Sequence, residues 1–349
     1  MANKVALVAG ANGIIGKALM EELAGASGWS ARPLSRRPPQ SPVAIACDLA
    51  DSVDTRAALK VAKDVTHVFY AAYAAGGGLA AEDRINGRML RNLLDGLDAA
   101  GAPVERVVLY QGAKIYGVHL GPVPSPFYED ENPRHLGPNF YQTQEDELRA
   151  RMASAGPEWS ILRPDVVIGD AAGNPMNIAT VIGAFAALSR GTGAAFRFPG
   201  SSRVYDGVFA QMTDARALAR ASLWAATATT ARNQAFNYVH EPFRWRRLWE
   251  RVAEAFELEL GPPMPLTLRD HMPAFATVWD RVAEEQGLTT ASYDKAVSWG
   301  FGDFVFGSAF DLISDMTKIR LAGFCETVDT GAALIAAIRR QQAAGVIPH

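Results

Sequence analysis

Near its start the chain reads Val5-Ala6-Leu7-Val8-Ala9-Gly10-Ala11-Asn12-Gly13-Ile14-Ile15-Gly16. The apolar run 5–9 predicts a buried strand, and residues from about 13 to 24 predict the helix that follows it. Three glycines with the spacing G-x-x-G-x-x-G lie between strand and helix. Glycines there let the backbone turn tightly and approach a pyrophosphate at the helix N-terminus, so the segment predicts a dinucleotide-binding fold.

Strands and helices continue to alternate downstream. The β-branched and apolar runs predict further strands over 29–35, 43–47, 66–72, 106–110 and 159–163. Helices are predicted from about 86 to 100 and over 139–155. This alternation is typical of the α/β class, so we expect a Rossmann fold: a doubly wound parallel sheet with helices on both faces.

The character of the chain changes near residue 165. A stretch rich in Gly, Ala and Pro is followed by Trp245, Trp249 and Trp279 and by the aromatic segment 299–307. We therefore expect residues 1–165 to form the cofactor-binding Rossmann domain and 166–349 mainly a smaller, mostly helical substrate lobe. Returns to the Rossmann domain are predicted near 205–240, over 213–225 and 235–239.

Composition excludes several classes of protein. The 349 residues are 49% hydrophobic and 20% charged, an ordinary globular balance, and the net charge of -3 argues against nucleic acid or anionic membrane as partners. Neither a signal peptide nor a membrane-spanning stretch is predicted, so a soluble cytoplasmic protein is expected. The two cysteines are expected to be reduced and buried. Four of the six histidines (His119, His135, His240 and His271) show no ligand spacing, and no metal is predicted.

Cofactor preference is indicated by the end of the second predicted strand, which reads Ser35-Arg36-Arg37-Pro38. An acidic residue near this place suits the ribose 2′-OH of NAD, whereas arginines suit a 2′-phosphate, so NADP(H) is expected. The alternative is a solvated pair of surface arginines. The cofactor residues predicted in this half of the Rossmann domain are Gly10, Asn12, Gly13, Ile14, Ile15, Gly16, Ser35, Arg36 and Arg37.

Other cofactor contacts are predicted where later strands end. Asp48 and Leu49 are placed beside the adenine, and Ala71 and Ala72 form a close-packed wall near the cofactor. The remaining predicted cofactor residues are Gln111, Gly112, Tyr141, Pro164, Val167 and Ile168.

The catalytic residues depart from the usual reductase pattern. Tyr141 lies where a Tyr-x-x-x-Lys dyad is expected, but Glu145 occupies the lysine position. Gly112 stands four residues before Tyr116, where an epimerase carries a catalytic Ser or Thr, and a lysine, Lys114, lies between them. A tyrosine and a lysine from two segments indicate chemistry on a carbonyl oxygen other than ordinary alcohol dehydrogenation.

This pattern resembles the progesterone 5β-reductase/iridoid synthase-like (PRISE) enone reductases, an atypical branch of the short-chain dehydrogenases. The resemblance covers nearly the whole chain. It rests on the segments Gly112-Ala113-Lys114-Ile115-Tyr116, Asn139-Phe140-Tyr141 with Glu145-Asp146, Pro126-Phe127 with Glu129-Asp130, Arg197-Phe198-Pro199-Gly200, Ala235-Phe236-Asn237 and 299–307. The chain departs from the plant pattern at Ile115, where a histidine is usual, and at Val118-His119-Leu120.

The resemblance implies that Tyr141 and Lys114 are the catalytic pair and that NADPH reduces the C=C bond of an α,β-unsaturated carbonyl. The phenol stabilises the enolate oxygen and Lys114 orients the phenol. Its implied substrate-binding residues are Tyr116, Phe127, Trp299, Phe301 and Phe304. An ordinary helical core remains an equal interpretation of the aromatic residues of 299–307, Phe306 included.

Two other functions remain open from the sequence. One is a nucleotide-sugar epimerase or dehydratase, which predicts tightly bound NAD⁺ and cationic side chains for a diphosphate. The other is a redox sensor that binds NADP(H) and a partner protein without catalysis. The sequence does not decide between a steroid and a small enone, or between a monomer and a homodimer.

Overall fold

The computed structural model describes residues 4–131, 137–151, 156–171, 173–288 and 293–349. The longer strands coincide with the buried apolar runs of the N-terminal half, and most of the later strands are only two residues long. The strands are β1 (Lys4–Ala9), β2 (Trp29–Ser35), β3 (Ile45–Ala46), β4 (His67–Tyr70), β5 (Arg106–Tyr110), β6 (Glu158–Arg163), β7 (Val167–Ile168), β8 (Phe196–Arg197), β9 (Phe209–Ala210), β10 (Thr213–Asp214), β11 (Gln234–Asn237), β12 (Phe243–Arg244) and β13 (Leu260–Gly261).

Helices separate most of these strands and dominate the later part of the chain. They are α1 (Ile14–Gly25), α2 (Ser52–Ala58), α3 (Leu79–Ala100), α4 (Phe140–Arg151), α5 (Ile178–Thr192), α6 (Ser202–Gly207), α7 (Ala215–Thr227), α8 (Trp245–Ala255), α9 (Leu268–His271), α10 (Ala276–Glu285), α11 (Tyr293–Ala296), α12 (Trp299–Gly307), α13 (Thr317–Leu321) and α14 (Thr330–Ala343). Short 3₁₀ helices lie at Leu59–Val61, Ala113–Tyr116, Val118–Leu120, Thr229–Ala231 and Met272–Phe275.

The main sheet has seven strands in the order β11-β6-β5-β4-β1-β2-β3, and each neighbouring pair is parallel. The order reverses on the two sides of β1, as in a doubly wound Rossmann sheet, and the helical C-terminal part follows. The predicted fold class is therefore confirmed. Because the strands are parallel, the loops after β1, β2, β4 and β5 leave the sheet at the same edge, where ligands bind in such folds.

Predicted and observed boundaries agree closely for the strands and less well elsewhere. β2 and β5 begin and end as predicted, whereas the strand predicted over 43–47 shortens to two residues. α3 begins at Leu79, seven residues before the predicted start, because the chain leaves Gly78 at a φ of 112° directly into the helix. Of the helix predicted over 139–155, residues 152–155 lie outside the described part.

The chain divides into two compact units. Unit 1 comprises 1–164, 216–238 and 315–325, and unit 2 comprises 165–215, 239–314 and 326–349. β11 and most of α7 thus return to unit 1, whereas β10 pairs with β7 in unit 2. The segment 315–325, which the sequence analysis did not single out, also belongs to unit 1.

Each unit has its own apolar core. In unit 1, the inward faces of β1, β4 and β5 pack on α3 through Leu93, Val68 and Leu109, among others. In unit 2, the rings of Phe196 and Trp249 stack with their centroids 4.3 Å apart. Burial of apolar surface in these clusters is the main stabilising contribution to the fold.

Three smaller predictions concern cysteines, metals and membranes. Cys47 is buried, as predicted, but Cys325 is exposed at the end of the 315–325 segment, so that half of the prediction was wrong. Within the described residues, no group of three or more His, Cys, Asp or Glu side chains is placed to bind a metal; His135 lies outside them. No helix in the described ranges is both long and apolar enough to cross a membrane.

Candidate active site

The glycine loop after β1 is packed as tightly as its spacing predicts. Gly10 has a φ of 84°, and a Cβ there would lie 2.6 Å from the carbonyl oxygen of Ala71. A Cβ at Gly16 would lie 2.2 Å from the carbonyl oxygen of Gly10. Neither position accepts a larger residue without moving backbone, and the close approach brings the predicted cofactor residues Gly10, Ala71 and Ala72 together.

The start of α1 has the features of an anion site. Gly13 is the N-cap residue and provides no side-chain hydrogen bond to the first turn. Backbone N–H groups at a helix N-terminus carry partial positive charge and point toward the solvent or a ligand. The loop Gly10–Gly16, with Ile14 and Ile15 in the first turn of the helix, therefore fits the pyrophosphate of a dinucleotide.

The predicted ribose site lies at the end of β2. Asn12 Nδ2 donates a hydrogen bond of 2.5 Å to the carbonyl oxygen of Arg37, which ties the glycine loop to the arginine pair. Arg36 and Arg37 are both exposed. The Ser35 hydroxyl is buried and has no hydrogen-bond partner among the described residues. Two exposed cations and an orphan hydroxyl fit an anionic group bound beside them.

Asp48 and Leu49 follow β3. Leu49 is buried, and its carbonyl oxygen accepts a 2.8 Å hydrogen bond from Asn92 Nδ2. Asp48 is exposed, and its backbone N–H donates to Asp54 Oδ2 at 2.8 Å. Their contacts are consistent with a fixed loop at the sheet edge, and their predicted place beside the adenine stays a prediction.

The segments that carry Lys114 and Tyr141 are joined by Asn139. Asn139 Nδ2 donates to the Lys114 carbonyl oxygen at 2.8 Å, and Asn139 Oδ1 accepts from the Tyr141 N–H at 3.1 Å. The second bond caps the start of α4. One side chain therefore joins the backbones of the two predicted catalytic residues, although 27 positions separate them in sequence.

Gly112 lies against the phenol of Tyr141. A Cβ at Gly112 would be 3.1 Å from Tyr141 Oη. Tyr141 is half-buried, and the side chain of Lys114 is 37% exposed. The Ser or Thr of the epimerase pattern would crowd the Tyr141 hydroxyl here, and glycine lets the phenol lie close to this segment.

Glu145, in the position of the missing dyad lysine, accepts hydrogen bonds from three side chains. Arg163 Nη2 lies 3.2 Å from Glu145 Oε2, and both side chains are almost fully buried, at 1% and 4% exposure. Arg149 Nε donates to Glu145 Oε1 at 2.8 Å, and Gln111 Nε2 donates to Glu145 Oε2 at 3.1 Å. Burial alone would raise the pKa of Glu145, but the charge of Arg163 and the bonds from Arg149 and Gln111 bring this pKa below its ordinary value.

Gln111 extends this buried network to the catalytic segment. Its amide Nε2 also donates to the Tyr141 carbonyl oxygen at 3.0 Å, and its Oε1 accepts from Arg163 Nε at 3.0 Å. Gln111 is fully buried. Its side chain is thus committed to protein contacts, so any contact with the cofactor would come from the backbone.

Tyr116 and Phe127, both predicted to bind substrate, form a buried pair. Their rings stack with centroids 5.0 Å apart, and both residues are buried. The Tyr116 hydroxyl donates to Asn237 Oδ1 at 2.6 Å and accepts from Arg163 Nη1 at 2.9 Å. Burial raises the pKa of Tyr116 to about 12, against the opposing effect of Arg163. These contacts are those of a structural pair, and the role of the two residues in substrate binding stays a prediction.

Glu82, which lies beside Lys114, and Tyr73, which contacts Glu82, were not predicted from the sequence. Glu82 Oε2 lies 3.9 Å from Lys114 Nζ, and Glu82 Oε1 accepts a hydrogen bond from the Tyr73 hydroxyl. Tyr73 directly follows the predicted residues Ala71 and Ala72, and Glu82 is the acidic residue in the first turn of α3. An acidic residue in the first turn of a helix can be recognised in a sequence, but Glu82 lies before the predicted start of α3 at about residue 86.

The remaining predicted site residues are divided between the units. Pro164 is buried at the end of unit 1, whereas Val167 and Ile168 form β7 of unit 2. Within unit 2, Trp299 and Phe306 belong to the core, Phe301 packs partly against it, and Phe304 is 48% exposed. The core interpretation thus describes two of these aromatic residues, and Phe304 alone presents a largely exposed ring.

Comparison with known proteins adds to this geometry. Residues 46–348 match the model of the PRISE-like Rossmann-fold domain. The chain is 32% identical over 369 residues to an (S)-8-oxocitronellyl enol synthase of Camptotheca acuminata, with 99% of this chain and 93% of that protein covered. It is also 32% identical over 367 residues to a 3-oxo-Δ4,5-steroid 5β-reductase of Arabidopsis thaliana, with the same coverage of both chains.

A solved structure shares the fold at lower identity. The UDP-glucose 4-epimerase of Thermus thermophilus, solved in complex with NAD, superimposes with a TM-score of 0.67 at 20% identity, covering 97% of this chain and 99% of that one. At that identity the likeness concerns the fold. The match to the family model spans most of the sequence, and the relatives are matched over almost their whole length. The chain therefore belongs to the family of proteins with a PRISE-like Rossmann-fold domain.

Proposed function

We propose that this protein is an oxidoreductase that uses NADPH to reduce the C=C bond of α,β-unsaturated carbonyl compounds. The observation that carries the proposal is the pairing of Tyr141 and Lys114 through Asn139, with the Tyr141 hydroxyl bordering the space at Gly112. The names of the relatives support it, since one is a steroid 5β-reductase and another an enol synthase. The substrate is a small molecule of the enone class, either a steroid or a smaller compound.

The residues account for the chemistry as follows. NADPH, when bound, supplies a hydride to the β-carbon of the enone. Negative charge then develops on the carbonyl oxygen, and the Tyr141 O–H donates a hydrogen bond to that oxygen where the charge appears. A proton from water at the α-carbon then converts the enolate into the saturated carbonyl product. Lys114, on the segment that Asn139 ties to Tyr141, is assigned the positive charge that offsets the charge building on the phenol. Because no alcohol is deprotonated, no hydroxyl is needed at Gly112.

The residues proposed to hold the pyrophosphate and the 2′-phosphate lie in unit 1, after β1 and β2 of the main sheet. The glycine loop and the start of α1 hold the pyrophosphate. Arg36, Arg37 and Ser35 hold the 2′-phosphate, which is why we propose NADPH and not NADH. Asn12 supports this site by fixing the Arg37 backbone.

The test is consumption of NADPH, followed at 340 nm, with 2-cyclohexenone and with progesterone as substrates. Wild-type protein should consume NADPH in the presence of at least one enone, and NADH should be used less efficiently. Tyr141→Phe should reduce kcat by roughly 10²- to 10³-fold, the usual effect of removing one oxyanion donor. Its dissociation constant for NADPH, measured by fluorescence titration, should remain within about twofold of the wild-type value, because the phenol hydroxyl acts on the substrate oxygen.

Tyr128→Phe is the matched control, because Tyr128 is an exposed tyrosine of the same unit. It should leave kcat unchanged. Equal turnover by Tyr141→Phe and wild type would remove Tyr141 from the mechanism. NADPH binding without turnover of either enone would favour the redox sensor, and NAD⁺ that co-purifies with the protein would favour the epimerase.

A further inference from the structure

Glu82 is the feature of the site that the proposed mechanism leaves without a role. It lies in the first turn of α3 with its side chain only 12% exposed. Its two oxygens are divided between two partners: Oε1 accepts from the Tyr73 hydroxyl and Oε2 faces Lys114 Nζ at 3.9 Å. This carboxylate is therefore not a solvated surface charge, because each of its oxygens contacts a different side chain.

The loop that carries Tyr73 is fixed onto α3. Asn86 Oδ1 accepts from the Ala74 N–H at 2.9 Å, and Asn86 Nδ2 donates to the Ala74 carbonyl oxygen at 2.8 Å. Asn86 is fully buried. A Cβ at Gly76 would lie 2.4 Å from the Glu82 backbone nitrogen, so the loop passes directly over the helix start. The backbone that carries Tyr73 is therefore fixed next to the start of α3, where Glu82 lies.

α3 is in turn fixed to α4, the helix that carries Tyr141. Thr143 Oγ1 donates to Asp83 Oδ1 at 2.6 Å, and Gln144 Nε2 donates to the Asn86 carbonyl oxygen at 3.0 Å. A Cβ at Gly87 would lie 2.8 Å from Thr143 Cγ2, which shows how closely the two helices approach. The position of Glu82 is therefore coupled to the helix that presents the catalytic phenol.

The ring of Phe140 connects the two tyrosines. Its centroid is 5.7 Å from that of Tyr73 and 4.1 Å from that of Tyr141. Burial, the hydrogen bond to Glu82, and the charges of Glu82 and Tyr141 together raise the pKa of Tyr73 well above its ordinary value. Tyr73 thus stays a neutral donor to Glu82, and Glu82 keeps its second oxygen for Lys114.

We propose that Glu82, oriented by Tyr73, is a positioning residue that holds the Lys114 ammonium beside Tyr141. The inference rests on the proposed function, because Lys114 has its catalytic meaning only there. The Tyr73 hydroxyl satisfies Oε1 and fixes the carboxylate plane, and Oε2 then supplies a local negative charge for Lys114. Lys114 is 37% exposed, so without this partner its long side chain would sample many rotamers.

Glu82→Gln tests the proposal, because glutamine keeps the size of the side chain and can still accept from Tyr73 but has no charge. We expect kcat for the enone to fall about two- to fivefold, the range of a partly exposed ion pair, with KM for the enone unchanged. A second readout does not depend on turnover. The rate at which trinitrobenzenesulfonate labels Lys114, followed by mass spectrometry in the free protein, should rise by about the same factor.

Tyr73→Phe provides an independent variant should Glu82→Gln fold poorly. It leaves both charges in place but removes the donor to Oε1, so it should also raise Lys114 labelling and lower kcat, by a smaller factor than Glu82→Gln. Asp83→Asn is the matched control: it changes the neighbouring carboxylate to an amide that still accepts from Thr143. It should leave both kcat and Lys114 labelling at their wild-type values.

The outcomes separate the two proposals. If wild-type protein consumes no NADPH with any enone, the proposed function fails, while the labelling assay still reports on Glu82 and Lys114. If wild-type protein is active and Glu82→Gln and Tyr73→Phe match it in both kcat and labelling, Glu82 has no positioning role. Equal increases in labelling for Asp83→Asn and Glu82→Gln would also overturn the inference, because general loosening of α3 would then explain both.

Discussion

Two glutamates lie near the proposed catalytic tyrosine, and their surroundings differ sharply. Glu145 lies one helical turn after Tyr141, its side chain 4% exposed, with Arg163, Arg149 and Gln111 all donating to it. Glu82 comes from α3 and faces a single ammonium at 3.9 Å besides the Tyr73 hydroxyl. Glu145 thus accepts short hydrogen bonds from buried and half-buried donors, whereas Glu82 lies 3.9 Å from a partly exposed lysine.

The difference explains why the dyad lysine is absent from its usual position. A lysine at 145 would place its ammonium beside the guanidinium of Arg163, which is itself almost fully buried. Arg163 also donates hydrogen bonds to Gln111, to the Tyr116 hydroxyl and to the Glu129 carbonyl oxygen. Moving the guanidinium away from a lysine would break these bonds. In this chain position 145 therefore serves the fold, and in the proposed mechanism the cation comes from Lys114, on the segment that follows Gly112.

Glu145→Lys, which restores the usual dyad spacing, is expected to have the largest effect. It removes the counter-ion of a buried arginine and adds a second buried cation, so the free energy of unfolding should fall by about 3–5 kcal/mol or more. Urea denaturation followed by circular dichroism measures this change. Asp146→Lys makes a similar charge change at the exposed neighbouring position and should cost less than about 1 kcal/mol.

A stable, active Glu145→Lys variant would contradict this comparison of the two glutamates. It would mean that the buried network tolerates a second cation and that the lysine of the dyad can return to its usual place. The buried network around Arg163 would then not explain why the lysine lies at position 114 and not at 145.

Gly112→Ala tests the proposed catalytic residues, at the point where Gly112 lies against the phenol of Tyr141. The added Cβ would be 3.1 Å from Tyr141 Oη, so the phenol must shift by a few tenths of an ångström. A displacement of this size should lower kcat about three- to tenfold, because a misaligned hydrogen bond from the phenol stabilises the developing charge less well, and this loss is smaller than that from removing the donor. The melting temperature should change little, since Gly112 has an ordinary extended conformation with a φ of -82°.

Gly25→Ala is the control for this variant. Among the described residues, a Cβ at Gly25 would meet no heavy atom within 4 Å, and the position ends α1. It should leave kcat unchanged. If Gly112→Ala is as active as wild type, the phenol has more freedom than the contact with Gly112 implies.

Much of the fold could be predicted from the sequence because its signals are local. The apolar runs at β1, β2 and β5 and the glycine spacing each report on a few neighbouring residues, and the sheet follows from their alternation. Tyr141 and Lys114 could also be named, because the departures at Gly112 and Glu145 stand out against a known spacing.

The contacts that organise the site could not be predicted in the same way. The carboxylate that meets Lys114 lies 32 positions upstream on another helix, and the arginine that meets Glu145 lies 18 positions downstream on a strand. Such pairings depend on how helices pack across the sheet. The segment 299–307 shows the same limit, because its aromatic residues fit a helix but only packing separates buried Trp299 from exposed Phe304.

The smallest predicted effect concerns Arg149, the second arginine on Glu145. Arg149 Nη2 is 2.7 Å from Glu145 Oε1, closer than Arg163 is to the other oxygen, but its side chain is 49% exposed. It also lies over the Trp159 ring, 4.4 Å from the centroid. Because solvent screens an exposed pair, Arg149→Gln should lower the free energy of unfolding by only about 1 kcal/mol.

Arg163→Gln, measured in the same urea denaturation series, should cost about 3–5 kcal/mol, because it leaves Glu145 charged and buried without its closest buried cation. The longer ion pair is thus expected to matter more than the shorter one. Equal losses for the two arginines would mean that contact distance, and not burial, determines what each pair contributes. That result would also weaken the contrast between Glu145 and Glu82, since exposure is what distinguishes their partners.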